Sequence, residues 1–381
     1  MDESKSIKLR NRSDKPDNVV LREHETAIRC EEIQRQLPAF MRGFFAYLKG
    51  NVLPMTRLAY LSDIRFFCNY LISDTDLTEA RLPRDISGAE FNEIKASDIN
   101  LFIDYCRTYR VEKENEIVFY ENSNKTLARK KSSVSVLFKQ LYRDEIIDRN
   151  ITDGFDPIRV PKAGEREIKV LQDDEVMIML DAVSTGSALT AKEHQYWEKT
   201  KRRDKAILIL FLTYGLRLFE LQQLNVSSFN FNRGEFKIYR KRDKEVIMPM
   251  NRSVTQVLQD YLDNERLDGD KIREGHEDAL FLSLQGRRMT ERAIRELVKK
   301  YTSIGLATSR KAGYSPHKLR ATAATSLIGR GNSIFDVQAL LDHEQVTTTQ
   351  LYAGHKMNIK RDLVHDMEWE LEREESTKGE D

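Results

Sequence analysis

Residues 315–352 read SPHKLRATAATSLIGRGNSIFDVQALLDHEQVTTTQLY, and the chemistry of the chain concentrates there. Two of the seven histidines fall in this stretch, with an arginine three positions after the first and a tyrosine nine after the second. Ser315 followed by Pro316 suits an N-cap and first helical residue, so a helix is expected to begin there. His317 and Arg320, three apart on that helix, are then expected to project from one face as two phosphate-seeking donors.

The wider composition frames this stretch. A length of 381 residues exceeds one ordinary core and suggests two or three domains. Apolar residues make up 40% and charged residues 32%, as in a globular chain with a solvated surface. The formal net charge of +1 does not by itself point to nucleic acid, but its distribution does more. Residues 366–381 hold eight acids and two bases, which leaves the remainder with +7. Cys30, Cys68 and Cys106 are far apart and lack metal-ligand spacing, so neither a disulfide framework nor zinc is expected. No run approaches the ~20 apolar residues that span a bilayer, and a soluble, cytoplasmic protein is the expectation.

Residues 1–28 are polar and without period and read as a mobile arm. Helical spacing then dominates residues 29–158. Leu58, Leu61, Ile64, Phe67, Cys68 and Leu71 form one stripe, with Arg57 and Arg65 outside it. Further helices are expected through Ile99–Cys106 and Thr126–Tyr142, with loops or an added hairpin over 82–94 and 110–123. Arg129, Lys130 and Lys131 beside three serines are either a solvated face or a DNA-contacting helix. The stretch 159–169, with its proline and glycine, reads as a linker.

In residues 170–356, a helix starts at Asp173 and Asp174, a polar insertion follows over 184–199, and Arg202–Thr213 reads as a buried helix. Gly215 can turn the chain, placing Arg217 and Glu220 three apart. Phe229 and Phe231, Phe236 and Ile238, Val246 and Met248 alternate as strands, with a basic tip at Lys241, Arg242 and Lys244. Helices are expected at Ser253–Leu262 and Thr290–Tyr301, with a short strand at Ala279–Ser283. Arg287, Arg288 and Arg292 give the latter region a positive strip suited to a phosphate backbone. The fold class expected is mainly α with a small antiparallel β-sheet.

Taken together, G-L-R-x-x-E-L at Gly215–Leu221, H-x-x-R at His317 and Arg320, Leu340-Leu341 followed by His343, and Tyr352 resemble the signature of the tyrosine recombinases. The resemblance implies a helical core-binding domain and an α+β catalytic domain that close on double-stranded DNA. It implies Tyr352 as nucleophile, Arg217 and Arg320 on the phosphate, His317 in proton transfer and His343 on the phosphate. The hairpin lysine that protonates the 5′ oxygen would be Lys241, with Lys244 as the alternative. Neither metal nor cofactor is implied. DNA contacts are expected from Arg129, Lys130, Arg240, Arg242, Lys244, Arg287, Arg288 and Arg292. Two positions depart from the pattern: Ala321 stands where a histidine is common, and Asp342 where a glycine precedes the second histidine. A carboxylate at 342 needs to point outward or be paired. Residues 357–381 hold an apolar series, Ile359 to Leu371, and an acidic tail. The family's reaction implies a homo-tetramer on two DNA sites, with this terminal helix docked on a neighbour. A type IB topoisomerase and an inactive DNA-binding regulator are the rival readings.

Overall fold

The computed structural model describes residues 13, 15–113, 116–160, 169–240 and 244–342. Lys241, Arg242, His343, Tyr352, most of the expected linker and the terminal series at 357–381 lie outside the described residues. The chain divides into two compact units, Met1–Pro161 and Lys162–Asp381.

The first unit is helical: α1 (Asp17–Gln34), α2 (Arg42–Asn51), α3 (Pro54–Asp74), α4 (Gly88–Glu93), α5 (Ala96–Tyr105) and α6 (Asn124–Arg143). Its core is aromatic, with Phe44, Phe67, Phe91, Phe102 and Phe138 fully buried. Phe67 sits edge-on to Phe102 with ring centroids 4.9 Å apart, the arrangement that the quadrupoles favour. All three cysteines are free and buried. Burial pushes the Cys68 thiol far above its usual range.

Three expectations change here. The formless arm is corrected over its second half, because α1 begins at Asp17 and buries Val19, Thr26, Cys30 and Ile33. Its apolar positions are sparse in a charged segment, and packing against α3 supplies what periodicity does not. Arg57 lies inside the stripe of α3 rather than outside it, with only 8% of its surface exposed. The segment 82–94 contains α4, started by a capping box in which Ser87 and Glu90 exchange bonds. The added hairpin is present as β1 (Thr108–Lys113) paired antiparallel with β2 (Glu116–Glu121).

The second unit contains α7 (Asp173–Thr185), α8 (Ala191–Trp197), α9 (Lys201–Tyr214) and α10 (Leu218–Gln222), followed by β3 (Phe229–Asn230), β4 (Glu235–Tyr239) and β5 (Glu245–Pro249). The helices α11 (Arg252–Asn264), α12 (Glu291–Gly305), α13 (Pro316–Gly329) and α14 (Ile334–Leu341) complete it. The apolar helix α9 is central and packs on α7, α11 and α13. The sheet has the order β3-β4-β5 and is antiparallel, with Phe236 opposite Met248 and Ile238 opposite Val246. The expected strand at Ala279–Ser283 is corrected to isolated bridges, Asn225 with Ala279 and Leu282 with Arg288.

One charged network inside this unit joins α9 to α12. Asp204, 2% exposed, accepts from Arg203 Nε at 3.1 Å and Nη2 at 2.8 Å, and from Tyr301 Oη at 3.3 Å. Lys300 Nζ lies 3.5 Å away. A carboxylate buried this deeply is tolerable only with such saturation.

The polar insertion folds onto the same unit. Trp197 Nε1 donates to the Val183 carbonyl at 2.8 Å, and Lys201 Nζ lies 4.5 Å above the indole. Glu193 accepts a two-pronged bond from Arg310, at 2.9 and 3.0 Å. The Arg310 guanidinium holds the Glu193 carboxyl down at about 2. Arg310 also donates to Ser303 Oγ on α12, so the insertion is strapped across the end of that helix.

Candidate active site

The site is built around the C-terminal end of α14. A helix end leaves its last carbonyls without intrahelical partners and carries partial negative charge, so it attracts cations. Three arginines from three elements answer it. Arg240 Nη2 donates to the Leu340 carbonyl at 2.8 Å, Arg320 Nη2 to that of Leu341 at 2.6 Å, and Arg217 Nη2 to that of Asp342 at 3.1 Å.

Each arginine arrives by a local rule. The helix α9 ends at Gly215, whose φ of +55° lets the chain reverse. Its backbone approaches the site closely: a Cβ there would meet Leu341 Cδ2 at 2.5 Å. The reversal makes Arg217 the N-cap residue of α10. Glu220, 2% exposed, then accepts from the Arg217 backbone N–H at 2.8 Å and from Nη1 at 2.7 Å. One buried carboxylate thereby fixes both the backbone and the guanidinium of Arg217.

Arg320 lies on α13, which Ser315 and Pro316 start as expected. It is 3% exposed and donates from Nη1 to the Gly215 carbonyl at 2.5 Å. His317 is on the exposed surface of the first turn of α13. The two residues share a helix but differ in depth. Ala321 packs with Val170, Ala324, Ile328, Val337 and Leu341 in a small apolar cluster beneath the site.

Arg240 is where sequence reading and structure part. It is the residue after β4, and Phe236, Ile238 and Arg240 occupy alternate positions, so the period of two turns it to the core face. It is 4% exposed, and burial lowers its guanidinium pKa. Its Nη1 lies 3.8 Å from Asp342 Oδ2.

Asp342 is the C-cap of α14, with φ +52° and ψ 53°. This left-handed conformation accounts for the glycine usual there, and Asp tolerates it better than most side chains. Its carboxylate accepts from Lys244 Nζ at 2.8 Å, and that bond, aided by Arg240 and Arg217, holds its pKa below the usual range. The requirement that a carboxylate at 342 be paired is met. The sequence marked Asp342 only as a departure from the pattern, not as a partner of the arginines and Lys244. Its signal was a non-glycine residue directly after a helix that ends in Leu340-Leu341.

The remaining cations divide by exposure. Arg129, Lys130 and Ser133 on α6 all bond Asp63 of α3, and Lys130 is buried with its Nζ 4.1 Å above the Phe66 ring. Arg288 donates to the Leu224 and Gln222 carbonyls at 2.8 and 3.2 Å, and burial brings its pKa down to about 10. Lys130 and Arg240 therefore serve the interior of their units, and Arg288, half-buried, is tied to main-chain carbonyls of its own unit. Arg129, Lys244, Arg287 and Arg292 remain exposed. Among the described residues no cluster of His, Cys, Asp and Glu could hold a metal ion, and no helix is long and apolar enough to cross a membrane.

Residues 169–358 match the phage integrase family. The chain is 30% identical over 301 residues to the tyrosine recombinase XerC of Natranaerobius thermophilus, a match covering 77% of this chain and 91% of that protein. It is 29% identical over 316 residues to the XerC of Pelotomaculum thermopropionicum, covering 81% and 91%. Among solved structures, the XerH site-specific recombinase bound to palindromic difH substrate superposes with a TM-score of 0.58 at 15% identity, over 91% of this chain and 90% of that one. The Tn1549 transposon integrase in complex with circular intermediate DNA gives 0.54 at 21% identity, over 90% and 99%. These two likenesses concern the fold. The arginines gathered on α14 fall inside the matched span, and the chain belongs to the tyrosine recombinase family.

Proposed function

We propose that this protein is a site-specific DNA recombinase that cleaves and rejoins strands through a 3′-phosphotyrosyl intermediate. The observation that carries this reading is the convergence of Arg217 and Arg320 on one helix end, with His317 at the start of α13 and His343 and Tyr352 following in the chain.

A phosphodiester resists attack because its charge repels nucleophiles and its alkoxide leaves poorly. Two arginines held by buried partners supply preorganised positive charge to the non-bridging oxygens. In the proposed cleavage, Tyr352 Oη bonds to phosphorus and gives its proton to His317. The bond from phosphorus to the 5′ oxygen breaks, and Lys241 protonates that oxygen. His343 hydrogen-bonds the phosphate. In rejoining, a 5′ hydroxyl from the partner strand displaces the tyrosine, so the ester energy is conserved and no nucleotide cofactor is consumed.

The partner is double-stranded DNA in the cytoplasm, bound by four copies on two sites, with the apolar series from Ile359 docked on a neighbouring copy. The reaction serves chromosome dimer resolution or the integration and excision of a mobile element. Exposed Arg129, Arg287 and Arg292 are the proposed backbone contacts, and neutralising each should flatten the salt dependence of binding.

The test is a suicide substrate: a target site nicked so that cleavage releases a short strand and traps the enzyme. Wild-type protein should form a covalent adduct and Tyr352→Phe none. Absence of an adduct for wild type on its own site would overturn the reading. Relaxation of supercoils by a monomer, without recombination between two marked sites, would place the chain with the type IB topoisomerases.

A further inference from the structure

The backbone N–H of Arg240 donates to the carbonyl of Lys244 at 2.9 Å, which closes the β4–β5 hairpin around its tip. The side chains of both closing residues end on one carboxylate. Lys244 Nζ donates to Asp342 Oδ1 at 2.8 Å, and Arg240 Nη1 lies 3.8 Å from Oδ2. The carbonyl of the same residue receives Arg217. Asp342 thus joins the base of the hairpin to the arginine clamp. Among the described residues, the charged groups facing it are Lys244, Arg240 and Arg217, with Glu220 behind the last.

We propose that Asp342 is a positioning residue for leaving-group protonation: its carboxylate holds both ends of the hairpin tip in register with the phosphate-binding arginines. This rests on the recombinase reading and deepens it. A proton donor must sit within hydrogen-bond reach of the departing oxygen, and a misplacement of ~1 Å costs about a hundredfold. One end of the tip is tied to α14 without the Asp342 carboxylate, by the Arg240 bond to the Leu340 carbonyl at 2.8 Å. The Asp342 carboxylate ties the other end to α14 through Lys244 and adds a second contact to Arg240. Lys244, engaged by Asp342, serves as the anchor of that end, and Lys241, which directly follows Arg240, serves as the acid.

The arrangement separates the roles of two parts of one residue. The carbonyl that receives Arg217 belongs to the backbone and survives a side-chain substitution. Asp342→Asn removes the charge and keeps a side chain that accepts the left-handed conformation, and Asp342→Gly removes the side chain at a φ that glycine adopts freely.

The experiment compares single-turnover adduct formation on two suicide substrates. One has the natural 5′ oxygen at the scissile phosphate and the other has sulfur there. A thiolate, whose conjugate acid has a pKa near ~8.5, leaves without protonation. Both Asp342 variants and Lys244→Gln should slow cleavage on the order of 10- to 100-fold on oxygen, yet stay within about threefold of wild type on sulfur. The double variant Lys244→Gln with Asp342→Asn should be no slower than the slower single one. An Asp342 variant at the wild-type rate on oxygen overturns the proposal. So does equal slowing on both substrates, which marks a defect in folding or phosphate binding, and so do additive effects in the double variant. Wild type that forms no adduct brings down the recombinase reading itself. Wild type that forms one, with Tyr352→Phe that does not, confines any failure to Asp342.

Discussion

Arg217 donates from Nη2 to the main-chain carbonyl of Asp342, 125 positions further along the chain, at 3.1 Å. Its other terminal nitrogen is held by Glu220. The guanidinium is therefore oriented before any substrate arrives, with 26% of the side chain exposed. A fork held at two points defines a plane, whereas an ammonium is a point charge. Arg217→Lys should lower the rate of adduct formation on a suicide substrate by about 10²–10³, the range for loss of a preorganised donor to a developing charge. A melting curve within a few degrees of wild type would show that the loss is in the chemistry.

Glu220 is the counter-charge that makes this orientation possible, and its side chain is fully buried. Glu220→Ala leaves the Arg217 backbone N–H and guanidinium without their acceptor. Breaking a buried pair costs about 3–5 kcal/mol, and the partial exposure of Arg217 puts the expected loss near the lower end. Urea unfolding measures it, and adduct formation should fall as well.

Gly215 combines a positive φ with a close approach. Gly215→Ala places a methyl 2.5 Å from the side chain of Leu341, which is itself buried. Overpacking and the left-handed backbone together should destabilise the protein by about 2–4 kcal/mol. Because Arg320 bonds the Gly215 carbonyl, the cleavage rate should drop more than the stability loss accounts for. Thermal melts and adduct assays on the same preparation separate the two effects.

The pH dependence of stability has one clear contributor in the strapped insertion. The Glu193 carboxyl is depressed from 4.5 to about 2 by Arg310. A depressed carboxyl contributes stability that is fully present above its unfolded pKa and is lost as pH falls through its folded one. Wild type should therefore melt higher than Glu193→Gln at pH 6. The gap should narrow below pH ~4.5 and close near pH ~2.

Periodicity made much of the fold legible. The helices α3, α5, α6, α9, α11 and α12 and the three strands of the second unit were readable because each buries one face or stripe against a core. The first half of α1 was not, because its few apolar residues gain meaning only against α3. The strand expected at Ala279–Ser283 is apolar because it is buried, and it meets its neighbours only through isolated bridges. The cations were harder to sort by sequence. Lys130, Arg240 and Arg288 look like surface charge in a basic run, yet each finds an internal acceptor that lies far from it in sequence. Arg240 alone left a trace, as the next inward position after Phe236 and Ile238.

By itself the sequence determined the family signature and the order of its elements, which are read along the chain, and the pairing of Arg217 with Glu220, which depends on a spacing of three residues. Tertiary structure alone decided that Arg217, Arg240 and Arg320 meet at the end of α14, and that Asp342 is paired rather than opposed to an anionic substrate. The physical reason is that a helix end offers its carbonyls in space, not in sequence. Which arginines reach them depends on how α9, α13 and the hairpin pack, and no local pattern records that.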